Sequence, residues 1–168
     1  PIKHAKGLAV LGPDNNLYAY RQNGSTVTVF ALNGTEVRTL NNYSLYRVAA
    51  APNGDVYSLA FSSSDVYLTT AAGVTSNIPM GGNVSSLADI VIDSSSNVYV
   101  MMAGTGVIKK ITPGGSVSDW STIPANSGQL KLLPDGTLYA LTGVATFTKV
   151  SPAGVSSTVA TVSNEPGI

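Results

Sequence analysis

An all-β chain built from four repeated units is predicted by three observations. The phrase Pro134-Asp135-Gly136-Thr137-Leu138-Tyr139-Ala140-Leu141 has near-copies at Pro13-Asp14-Asn15-Asn16-Leu17-Tyr18-Ala19-Tyr20, Pro52-Asn53-Gly54-Asp55-Val56-Tyr57-Ser58-Leu59 and Asp93-Ser94-Ser95-Ser96-Asn97-Val98-Tyr99-Val100. The tyrosines Tyr18, Tyr57, Tyr99 and Tyr139 recur about 40 residues apart, and a period of that size marks a repeat architecture. Around each copy the same series of short β-prone runs and turn residues returns, four runs to a unit. Four short antiparallel strands in about 40 residues describe one blade of a β-propeller.

Each unit opens on an apolar run, at 8–11, 47–51, 88–92 and 130–133. The repeat phrase supplies the next turn and strand. Proline presets φ for the first central turn position, and Asn, Asp and Gly tolerate the positive φ that follows. The strand holding the tyrosine is β-branched or aromatic and nearly all apolar, as suits a strand covered on both faces. A third strand follows about ten residues later, at 27–30, 66–69, 107–111 and 146–150. Asn33-Gly34, Ala72-Gly73, Pro113-Gly114-Gly115 and Pro152-Ala153-Gly154 then turn the chain into a more polar fourth strand. Blades therefore fall at about 8–40, 47–78, 87–123 and 129–162 of a single domain, 1–168.

At this point the chain resembles the NHL-type and streptogramin-lyase-type propeller repeats, whose "P-D-G-x-(L/V)-Y" phrase opens the second strand of a blade. The likeness covers essentially the whole chain. The Trp-Asp signature of another propeller class is absent, and Trp120 is the only tryptophan. The repeats begin on a first strand and finish on a fourth, so ring closure rests on side-chain packing. Two architectures follow: a closed four-bladed ring, or part of a larger ring made by oligomerisation. An end blade left uncovered would expose an apolar face, and such faces mark interfaces.

Composition narrows the function classes. The net charge is zero, which argues against nucleic acid as partner, since phosphate binding needs a clustered basic excess. Lys109-Lys110 is the one adjacent basic pair, and strand alternation sends its side chains to opposite faces. No run of about 18 apolar residues is present, and no membrane insertion is expected. There is no cysteine, so disulfides and Cys-ligated metals are out. The chain opens on Pro1 rather than methionine, so an initiator methionine is expected to be missing. Few charges with abundant Ser, Thr, Gly, Ala and Val suit extracellular bacterial and virion surfaces.

Candidate site residues fall in two groups. In the linker 41–46, Tyr43 and Tyr46 offer aromatic faces beside asparagines, a surface suited to sugar rings; covering the space between blades is the competing role. Trp120 is a further aromatic candidate. Arg47, Asp89 and Lys131 stand in first strands, which in propellers line the central channel, where they form either an ion network or a catalytic set. His4, the only histidine, lies in the lead-in 1–7 and reads as a solvated arm. The only glutamates, Glu36 and Glu165, have no partner carboxylate nearby in sequence. The Gly-rich run 79–83 lacks the Gly-Lys-Ser/Thr ending of a phosphate loop, and 93–97 lacks the alternating acids of a calcium loop. Sequons at Asn23, Asn33, Asn42 and Asn83 match chance in so Ser/Thr-rich a chain.

The gluconolactonase-like and streptogramin-lyase-like propellers depend on metal ligands or a histidine in the channel. This sequence does not match those residues. The expectation is therefore a non-catalytic structural or interaction module without cofactor, metal or catalytic residues. It would self-associate or bind other structural proteins, on a virion (a phage) or a bacterial cell surface. A glycan-binding propeller is the first alternative, and a small-molecule lyase or hydrolase using Arg47, Asp89 and Lys131 the second.

Overall fold

The computed structural model describes residues 7–22, 24–42, 45–60, 63–81, 87–125, 128–142 and 146–161. Every regular element among them is a strand. The first blade holds β1 (Gly7–Leu11), β2 (Asn16–Arg21), β3 (Thr26–Ala31) and β4 (Glu36–Asn41); the second β5 (Leu45–Ala50), β6 (Val56–Ala60), β7 (Asp65–Thr69) and β8 (Thr75–Pro79). The third holds β9 (Leu87–Ile92), β10 (Val98–Met102), β11 (Val107–Ile111) and β12 (Val117–Thr122); the fourth β13 (Gln129–Leu132), β14 (Leu138–Thr142), β15 (Thr146–Val150) and β16 (Ser156–Thr161). Each blade is one four-stranded antiparallel sheet with its strands in chain order. The chain has the propeller-type fold that its repeats predict.

The turns explain the regularity. At the first hairpin of every blade one pair of backbone bonds repeats. The amides of Gly12, Ala51, Asp93 and Leu133 donate to the carbonyls of Asn16, Asp55, Asn97 and Thr137, and the amides of Asn15, Gly54, Ser96 and Gly136 donate back. Those last four residues all take positive φ, between 60° and 83°. The Asx side chains before them fold onto the backbone: Asp14, Asn53, Asp93 and Asp135 accept from the amides of Asn16, Asp55, Asn97 and Thr137.

Alternation along the second strand then divides each blade into two faces. Tyr18 and Tyr20, Tyr57 and Leu59, and Tyr99 and Met101 point toward the following blade; Val56, Val98 and Val100, Leu138 and Ala140 point toward the preceding one. Three apolar clusters result, one at each joint between consecutive blades. β6 and β10, covered on both sides, are buried at every residue, whereas β16 is exposed throughout. β5 packs on β1 and β2, β9 on β5 and β6, and β13 on β9. Among the described residues no comparable packing returns the fourth blade to the first, so the row of blades is open.

Candidate inner-wall site

The first strands β1, β5, β9 and β13 stand side by side along the inner edge of the sheets. A cavity of about 690 Å³ opens against them, bounded by Tyr20, Arg47, Asp89 and Lys131 together with apolar neighbours such as Val10 and Ile90. Asp89 is its most constrained polar group. Its Oδ2 accepts from the Leu130 amide at 2.7 Å, and its Oδ1 accepts from the Ile90 amide at 3.0 Å. The Leu130 amide lies on the edge of its own sheet, and the carboxylate satisfies it across the joint.

Arg47 approaches from the second blade, its Nε 3.5 Å from Asp89 Oδ1. Its guanidinium also lies over the Tyr46 ring, 4.3 Å from the centroid, and donates to the Tyr46 carbonyl at 3.2 Å. Asp89 thus ties blade two, blade three and blade four together at the wall. Burial raises the Asp89 carboxyl above its usual value, against the two amide bonds and the Arg47 charge, which pull it down. Burial also raises the Tyr20 phenol, with Arg47 opposing and Asp89 reinforcing. Tyr20 therefore stays protonated beside a carboxylate of increased proton affinity.

Of the sequence candidates, Arg47 and Asp89 meet directly and Lys131 lines the same cavity. Tyr46 lies under Arg47 rather than presenting an open ring. Trp120 is half-buried in the joint between blades three and four, its ring 4.6 Å from that of Tyr99 and tilted 59°. Tyr43 lies outside the described residues. From the same linker Asn42 is buried, donating to Thr69 Oγ1 at 3.0 Å and accepting from Ser58 Oγ at 2.9 Å. Sequence reasoning missed Tyr20. A signal was present: two residues after each repeat tyrosine the other blades carry Leu59, Met101 and Leu141, and only blade one carries a polar group there.

No family model matches the chain, and no curated protein matches it. Solved structures do. A streptogramin B lyase superposes with a TM-score of 0.79 at 15% identity, over 98% of this chain and 57% of its own. A virginiamycin B lyase from Staphylococcus aureus, in a catalytically inactive histidine-to-alanine form with quinupristin, gives a TM-score of 0.76 at 15% identity, over 95% of this chain and 57% of its own. A protein of unknown function from Bacteroides caccae gives 0.69 at 12% identity, over 92% and 66%. At such identities the likeness establishes the propeller fold. The chain spans 57% of the length of these lyases.

These neighbours overturn two expectations. The sequence leads to the expectation of a non-catalytic structural or interaction module on a virion or cell surface, with a glycan-binding propeller as the alternative, and of a chain that is not an enzyme. Three of the structures that superpose on nearly the whole chain are lyases and a fourth is of unknown function, so these neighbours speak against a purely non-catalytic module. The physical reason for the error is specific. Scarcity of histidine and cysteine is not scarcity of chemistry, since a partly buried carboxylate can accept a proton beside the fixed positive charge of a guanidinium.

Proposed function

We propose that the chain forms the catalytic wall of a lyase-type propeller acting on a small molecule held in the cavity at Arg47 and Asp89. The observation that carries this reading is the partly buried carboxylate of Asp89, 3.5 Å from Arg47, on the inner wall of a fold shared with lyases. A lyase breaks a bond by elimination. Asp89 takes the proton from carbon beside a carbonyl, Arg47 holds the oxygen on which negative charge develops, and Tyr20 returns a proton to the departing heteroatom. Burial favours both ends of that transfer, because it strengthens Asp89 as a base and keeps Tyr20 protonated. The inactive neighbour lacks a histidine; here the only histidine, His4, lies outside the described residues, and the base is assigned to Asp89 instead.

The test is incubation with quinupristin and with virginiamycin B, following loss of the parent compound by chromatography. The wild-type chain consumes one of them, and Asp89→Asn lowers kcat by about 100-fold or more with little change in KM. The rate rises with pH through the raised pKa of Asp89, since the base works ionised. Consumption unchanged in Asp89→Asn, or none by the wild type, overturns the assignment.

A further inference from the structure

The wall cavity continues into a second space. A groove of about 480 Å³ opens between the first-hairpin turns of blades three and four, and Ile92, Asp93, Ser94 and Leu132 line both spaces. The groove begins close to Asp89. The amides of Ile90 and Leu130 hold that carboxylate, and Ile92 and Leu132 stand about 7 Å further along the same two strands. A comparison of the repeats explains why this joint stays open. Gly12, Ala51, Asp93 and Leu133 occupy one turn position. At the first joint a Cβ on Gly12 would stand 3.2 Å from that of Ala50, and at the second Ala51 is 1% exposed, so neither has room at this level. Asp93 instead folds back into its own blade. Its Oδ1 accepts from the Ser95 and Asn97 amides, and its Oδ2 from Asn97 Nδ2 and Tyr99 Oη. The next position holds Pro13, Pro52 and Pro134 in the other blades but Ser94 here. Both differences leave the space between the turns unfilled.

The lining decides what fits. Ile92, Leu132, Leu133 and Pro134 supply apolar surface; the first two are half-buried and Leu133 is 37% exposed. The charged groups there are the carboxylates of Asp93 and Asp135, and among the described residues no lysine or arginine lines the groove. Asp135 accepts from the Thr137 amide at 2.9 Å. That bond holds its carboxyl below the usual range, Lys149 adds a weaker pull, and the group stays ionised at neutral pH. The volume lies within the range of small-molecule pockets.

We infer that this groove receives an arm of the molecule bound at the wall, and that the arm is an apolar ring or branched alkyl group without negative charge. The apolar side chains hold such a group by burial, and the two carboxylates repel an acid. Ser94 determines the specificity, because it keeps open the place that proline takes in the other blades. That the bound molecule is a lyase substrate rests on the reading of Asp89 as the base; the class of arm does not.

Amide shift mapping by NMR on the full chain tests it, with benzyl alcohol and benzoate as probes. Benzyl alcohol should shift the amides of Ser94, Ser95, Asp135 and Gly136, and benzoate should bind about five-fold or more weakly. Ser94→Trp should remove the benzyl alcohol shifts at Asp135 and Gly136. Leu133→Asp, on a partly exposed side chain, replaces it if the first variant loses its β-type circular dichroism spectrum. In turnover assays with whichever of quinupristin and virginiamycin B the wild type consumes, Ser94→Trp should raise KM about five-fold or more and lower kcat by less. Benzoate binding as tightly as benzyl alcohol overturns the inference. So do shifts confined to other parts of the chain, no shift at all, or a Ser94→Trp KM equal to that of the wild type. Groove shifts without turnover of either compound support the groove and overturn the catalytic reading instead.

Discussion

At Asp14 one carboxylate closes a turn and satisfies a buried phenol. Its Oδ2 accepts from Tyr18 Oη at 2.7 Å and from Asn16 Nδ2 at 2.8 Å, and Tyr18 is fully buried. Asp93 repeats the device on Tyr99 at 3.1 Å. Burial raises both phenols, with the aspartates reinforcing it, and takes Tyr99 to about 12. For Asp14 burial pushes the carboxyl up, but the bonds from Tyr18 and Asn16 outweigh it and the net shift is downward. A depressed carboxyl stabilises the fold above its unfolded value, and that contribution is lost as pH falls through the folded one. Asp14→Ala strands the phenol and should cost about 1–3 kcal/mol, read as a lowered Tm. Asp89 has the opposite sign. With its carboxyl raised, stability is greatest below the unfolded value and declines as pH rises through the folded one. Asp89→Asn should flatten that decline in a melt series from acid to neutral pH and leave neutral stability unchanged or higher, while abolishing the proposed activity. A loss of more than about 2 kcal/mol at neutral pH would instead mark Asp89 as a structural clasp.

Turns set the elements, and two of them carry conformations that side chains dislike. Asn15 and Ser96 hold positive φ where the other blades use Gly54 and Gly136. Asparagine tolerates that region through its local hydrogen bonding; serine does so less well. Ser96→Gly should therefore be neutral or stabilising by up to about 1 kcal/mol, measured by urea denaturation. Gly106, at φ 72°, has no such latitude. A Cβ there would collide with the carbonyl oxygen of Ile123, whose own amide donates to the Gly106 carbonyl at 2.9 Å. Gly106→Ala should destabilise by about 2–4 kcal/mol, because the obstacle is backbone and the neighbouring β11–β12 pairing cannot yield. Between the first two blades Asn42 joins Ser58 and Thr69, both fully buried. Asn42→Ala should cost about 1–3 kcal/mol through the polar atoms it leaves behind.

For the whole molecule the decisive feature is that the blades are stacked but not closed. Three joints bury their tyrosines and valines, and two half-joints remain at the ends. The four blades match 57% of the length of the lyase chains they superpose on.

The local pattern belonged to the sequence. The period of about 40 residues, the Pro-Asp-Gly type turns and the buried tyrosine strands follow from φ preferences and alternation, which act over a few residues and so can be read from the order of side chains. Arg47, Asp89 and Lys131 could be placed on first strands for the same reason. Only the tertiary structure brought Tyr20 to the same cavity, put Asp89 on the amide of Leu130 forty-one positions away and turned Trp120 into the joint with blade four. The faces of blades one and four show the same division. Phe147 and Val66 are both apolar strand residues in one repeat position, and nothing local tells them apart. What separates them is whether another blade lies on top. That is a property of the order and curvature of whole sheets, which hydrophobic burial rewards but no single repeat encodes.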